Sequence, residues 1–122
     1  MCMKEEWKEK LTYKIHFYMD LNWREQYVGI LELVHEGITF YFIDNEYYFN
    51  GFTPYGDTKW DIEKFAFFSK AALSALPLID FRPDIIHCHD WQTGLVPVYL
   101  DNFRYGNEFF RGNKTVMTNH NL

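Results

Sequence analysis

Asp84-Ile85-Ile86-His87-Cys88-His89-Asp90-Trp91-Gln92-Thr93-Gly94-Leu95 is the stretch on which the reading of this chain turns. A short β-branched apolar run ends in a cluster of imidazole and carboxylate side chains. A small-residue turn and an amphipathic segment follow. This pattern predicts a strand over 84–89 and a helix over 93–103, with Pro97 in the first turn, where few intrahelical N–H bonds are yet required. Residues 114–119 predict a second strand, again ending in polar groups, after a loop marked by Gly106, Gly112 and Asn113. Strand, helix and strand in this order form one βαβ unit, expected to be parallel and right-handed. Its two strand ends bring Asp90 and His120 to the carboxyl edge of the sheet, where open α/β sheets bind ligands.

Side chains alternate along a strand, so His87 and His89 share one face. Cys88 and Asp90 share the other if the strand persists to Asp90. Two histidines two apart, followed by an acid, are also a metal-ligand pattern. His16 and His35 lie in an unrelated hairpin region, however, and His120 falls near the chain end. A hydrogen-bonded role for His87 at the sheet edge is favoured over ligation, and no metal site is assigned. A metal-dependent hydrolase using His87 and His89 is the rival enzyme reading. Asp90 can cap the helix that follows.

Upstream, residues 13–19, 27–34 and 38–43 read as strands, with Glu36-Gly37 as a hairpin turn and Asp44-Asn45 ending the third. Residues 50–57 hold two Gly, a Pro and two aromatics and read as a loop. Thr58-x-x-Asp61 suits a helix start. Ile62, Phe65, Ala66, Ser69, Leu73 and Leu76 fall at helical spacing, which predicts an amphipathic helix over 60–76 ended by Pro77. Residues 1–10 are polar and read as a frayed start, outside the resemblance that the later segments carry.

The chain has 122 residues, a length that suits a single domain. Its 48% hydrophobic and 20% aromatic content argues for a packed interior. Most of the twelve Phe and nine Tyr are expected in the core, though some could form a carbohydrate platform. A net charge of −5 without a basic run argues against a nucleic-acid partner. No apolar stretch approaches a membrane span, residues 1–9 lack a signal-peptide core, and Cys2 and Cys88 make no disulfide framework. A reducing cytoplasm fits.

Several segments carry a resemblance to the bacterial glycogen synthases and plant starch synthases. They are Asn22-Trp23-Arg24-Glu25-Gln26-Tyr27-Val28-Gly29-Ile30, Tyr41 to Phe49, Phe65 to Leu73, Arg82-Pro83-Asp84 with the His-x-His-Asp-Trp motif, and the closing Met117-Thr118-Asn119-His120-Asn121-Leu122. Five pieces in one order span Leu21 to Leu122. The resemblance implies an α/β fold, part of the Rossmann-like N-terminal domain of a two-domain (GT-B) glycosyltransferase. It implies retaining transfer of glucose from ADP-glucose or UDP-glucose, with ADP-glucose favoured, to an α-1,4-glucan acceptor, and no cofactor beyond the donor.

By resemblance, Asp90 and His120 are candidate catalytic residues, and Trp91, Asn121 and Tyr55 candidate substrate-binding residues. Relatives also have a Lys-x-Gly-Gly-Leu loop and a C-terminal donor-binding domain, and neither is seen here. Residues 1–122 are therefore expected to be an internal fragment of the N-terminal domain. Alone it should be inactive and prone to self-association through an apolar sheet edge. The rival non-enzyme reading is a glucan-binding or structural domain. Asn119 departs from the aliphatic residue usual in relatives and would need a partner if buried.

Overall fold

The computed structural model describes residues 10–21, 24–49, 58–105 and 107–120. The chain divides into two compact units, one up to Gly51 and one from Phe52 onward.

The first unit is a three-stranded antiparallel sheet in chain order: β1 (Thr12–Leu21), β2 (Arg24–His35) and β3 (Ile38–Asp44). Glu36 and Gly37 both have positive φ, 51° and 78°. That is the twisted two-residue turn that matches the strands' own twist, and it sets the pairing of His35 with Ile38. A register shift between Tyr13 and Ile15 places Tyr13 and His16 within hydrogen-bonding reach. The Tyr27 ring lies over Gly29, where a β-carbon would come within 3.0 Å of the Tyr27 hydroxyl. From there Tyr27 stacks on His16 at 5.7 Å.

A short helix, α1 (Glu46–Phe49), follows, which the sequence reading did not assign. Asn45 starts it: its Oδ1 accepts from the Tyr48 N–H at 2.9 Å, and its Nδ2 donates to the Tyr27 carbonyl at 2.6 Å.

The second unit contains α2 (Thr58–Leu78), β4 (Ile85–His89), a 3₁₀ turn at Trp91–Thr93, α3 (Val96–Arg104), a second 3₁₀ turn at Glu108–Phe110, and β5 (Lys114–Thr118). β4 and β5 pair in parallel, Ile85 with Lys114 through His89 with Thr118, as the βαβ reading requires. Leu73, Cys88, Val96, Leu100 and Phe110 form the core, with Leu76, Ile86, Tyr99 and Phe103 packed on it.

Three expectations need correction. Pro77 does not end α2 but lies inside it, in the last turn, where its missing N–H costs one bond. The helix stops at a left-handed Asp80 (φ 56°), with Asp80 N–H donating to Pro77 O and Phe81 N–H to Leu76 O. On α2, Ile62 is 54% exposed while Phe67, Ala71 and Ala75 are buried, so burial extends beyond the single stripe read from spacing. The helix expected over 93–103 starts later: Thr93 closes the 3₁₀ turn, and α3 begins at Val96 with Pro97 in its first two positions.

Two arginines and an asparagine set the start of β5. Arg82 donates to the carbonyls of Glu108 (3.0 Å) and Arg111 (2.9 Å). Arg104 donates to those of Phe110 (3.1 Å) and Asn113. Asn113 Nδ2 donates to Pro83 O, and Lys114 N–H to Asp84 O at 2.9 Å.

Candidate functional site

The carboxyl ends of β4 and β5 lie side by side, so residues 31 apart in sequence meet. Alternation holds through His89: Cys88 is buried, while His87 and His89 are exposed. It fails at Asp90, which leaves the strand with φ 64° and ψ 176°. That backbone region is close to glycine-only, and a side chain there costs on the order of 1–3 kcal/mol.

Asp90 is held on every side. Its N–H donates to Thr118 O at 2.8 Å, and its carbonyl accepts from the Thr93 N–H at 3.3 Å. The Thr93 hydroxyl lies 2.9 Å from His89 O and 3.1 Å from Asp90 O. The carboxylate crosses to the neighbouring strand end, where Oδ1 accepts from the His120 N–H at 2.7 Å. Asp90 makes no side-chain bond to the turn that follows. The helix-capping reading is therefore corrected: Asp90 ties the two strand ends together. Among the described residues, no second partner takes its other carboxylate oxygen.

Beside this link runs a row of imidazoles. His87 Nε2 meets Thr118 Oγ1 at 2.7 Å, in keeping with a hydrogen-bonded His87. The His87 and His89 rings are 4.1 Å apart. His89 Nδ1 is 3.2 Å from His120 Nε2, with the two rings 11° from parallel. His120 is thus fixed by ring and main chain. Asn119 is exposed, so the burial concern raised by its polarity does not arise. Among the described residues, no group of three or more His, Cys, Asp or Glu is arranged to hold a metal ion.

Trp91 is 61% exposed, a ring offered to solvent. Phe65 on α2 supports it edge-on, with ring centroids 5.1 Å apart. Cys88 faces the core, and burial pushes its thiol up, outweighing the lowering by the Thr93 hydroxyl. Tyr55 and Asn121 lie outside the described residues. Sequence reasoning named Asp90, Trp91 and His120 but not the supports His89, Thr93, Thr118 and Phe65. The parallel βαβ register, once drawn, places Thr118 opposite His89 and could have found two of them.

A parallel strand pair joined through a helix, with a carboxylate, an indole and an imidazole at its carboxyl ends, is one βαβ unit of an α/β fold. The model of the starch synthase catalytic domain family matches residues 1–122, and the chain belongs to that family. The match begins at residue 1, so the first ten residues are not foreign to the family, as their composition suggested. Among similar proteins are the glycogen synthases of Lachnoclostridium phytofermentans, 65% identical over 122 residues, all of this chain and 26% of that protein, and of Lachnospira eligens, 65% identical over 99% of this chain and 25% of that protein. A structure of the catalytic domain of starch synthase IV from Arabidopsis thaliana, bound to ADP and acarbose, superposes with a TM-score of 0.76. It is 30% identical and covers 91% of this chain and 23% of its own. The chain has the fold of part of that GT-B domain, and spans about a quarter of the length of these relatives.

Proposed function

We propose that the chain is part of the N-terminal domain of a retaining glucosyltransferase that transfers glucose from ADP-glucose to the non-reducing end of an α-1,4-glucan. The names of its relatives and the ADP and acarbose in the starch synthase IV structure support this reading. So does one observation above the rest: Asp90 occupies a strained conformation that holds its carboxylate against the His120 main chain. Strain that the surroundings over-determine marks function more often than stability.

In this reading Asp90 and His120 are the catalytic pair that orients sugar hydroxyls, and Trp91 covers an apolar sugar face. Tyr55 and Asn121 join them as substrate contacts on the strength of the resemblance alone. The leaving phosphate is stabilised by the rest of the longer protein, so rate enhancement comes from orientation and electrostatics across a cleft. ADP-glucose is a substrate, and the proposal includes no cofactor. Its partners are the glucan, the nucleotide sugar and the donor-binding domain. A cytoplasmic setting is proposed too; among the described residues, no helix is long and apolar enough to cross a membrane. Exposed Ile85, Val116 and Met117 on the parallel strands are where the isolated chain would self-associate.

The test is incorporation of labelled glucose into glycogen. The 122-residue chain alone should give none. In the full-length protein, Asp90→Ala should lower turnover about thirtyfold or more, since a charged hydrogen-bond partner is worth on the order of 2 kcal/mol. Near-normal turnover would remove Asp90 from the site.

A further inference from the structure

We infer that His89 is a positioning residue for His120, and that it acts through its Nδ1 atom. The inference rests on the proposed role of His120 at the sugar. His89, the last residue of β4, and Asp90, which follows it, grip His120 at two points: Asp90 Oδ1 takes its N–H at 2.7 Å, and His89 Nδ1 meets its ring Nε2 at 3.2 Å. The first contact fixes the main chain, and the second fixes the ring's rotation.

The second contact also sets chemistry. An N–H···N bond between imidazoles needs one donor and one acceptor. With Nε2 committed to His89, Nδ1 is the one polar atom of the His120 ring left for a ligand. Its donor or acceptor character is then the reverse of that at Nε2. A sugar hydroxyl both donates and accepts, so it can answer either tautomer, but only if the ring is held still. His89 is itself steadied by the His87 ring at 4.1 Å and, through its carbonyl, by the Thr93 hydroxyl at 2.9 Å. His87 is anchored in turn to Thr118. The titratable groups around the pair are His87 and Asp90. None of these supports needs to touch substrate, and His89 is exposed, so a fold-preserving substitution is available.

The experiment is a substitution series in the full-length protein, read as kcat/KM for glucosyl transfer. His89→Ala should lower kcat/KM about tenfold, the worth of one well-placed hydrogen bond, with an unchanged melting temperature. His89→Asn puts an amide where Nδ1 sits and should restore most of the loss. His89→Gln reaches instead to the position of Nε2 and should not. On a His120→Ala background, His89→Ala should cost nothing further, because the two act as one unit. Equal rescue by Asn and Gln, or full additivity of the two alanine changes, would overturn the inference. If His120→Ala itself leaves transfer intact, the proposed role of His120 fails. If His120→Ala is damaging while His89→Ala is silent, that role stands and the positioning inference alone fails.

Discussion

The antiparallel sheet of β1 to β3 and the parallel pair of β4 and β5 lie in one chain but are held by opposite means. In the first, neighbours in sequence are neighbours in space, and at Glu36-Gly37 a two-residue turn joins the strands and sets the register. In the second, the partners are separated by the whole segment from Asp90 to Asn113, and register comes from a shared core and from the clamps around Asn113. The difference explains where the chemistry sits. A hairpin turn occupies both strand ends at its side of the sheet. A parallel pair leaves both carboxyl ends free and adjacent. Asp90 and His120 occupy such a place, and a hairpin could not have offered it.

The comparison is most exposed to attack at Leu100, 1% exposed in the core under β4. Leu100→Ala should cost about 2–5 kcal/mol, and hydrogen exchange should accelerate in β4 and β5 more than in β1 to β3. Equal acceleration in both units would break the distinction between local and non-local support. A sharper probe is the strand exit. Asp90→Gly and Asp90→Ala both lose the bond to His120, but only Gly suits φ 64°. Denaturant melts should place the Gly variant about 1–3 kcal/mol above the Ala variant; equal stability would mean that Asp90 stores no strain.

Cys88 reports on the same core. Its folded thiol titrates above the ordinary 9.0, because burial disfavours the thiolate. A group raised on folding adds stability that is fully present below its unfolded pKa and lost as pH rises through the folded one. Part of the fold's stability should therefore fall above about pH 9 and not in Cys88→Ala, and alkylation near neutral pH should require opening of the core. Rapid labelling of the folded protein would contradict this. The smallest effect belongs to the hairpin: Glu36→Asn gives the favoured Asn-Gly turn and should add about 0.5–1 kcal/mol in a thermal melt, with β4 and β5 unaffected.

Much of this architecture was legible. Alternation gave the first two strands, Glu36-Gly37 gave the hairpin turn, and the β-branched run before His87 gave the parallel strand. The misses share one cause: backbone solutions that side-chain patterns do not advertise. α2 ends on a left-handed Asp80 where a glycine would have announced the stop. α1 depends on the cap from Asn45, which composition reads simply as a turn residue. At the site, Asp90 and Trp91 could be named from the motif. The turn of Asp90 out of the strand's alternation could not, because Asp visits positive φ mainly in the αL region and not at ψ 176°. Phe65 behind Trp91 is a tertiary contact that no spacing within the motif contains.

The clamps on the 107–113 loop carry a consequence of another kind. Arg82 and Arg104 both spend their donors on main-chain carbonyls. The ion pairs nearby, Arg104 with Asp101 at 3.6 Å and Arg111 with Glu108 at 3.8 Å, are long and solvent-facing. Dissolved ions weaken attraction between exposed charges, but they compete poorly for the Arg104 guanidinium, whose bonds to the Phe110 and Asn113 carbonyls are half-buried. The entry of β5 into the sheet, and with it the placement of His120 at the far end of that strand, is thereby insulated from ionic strength.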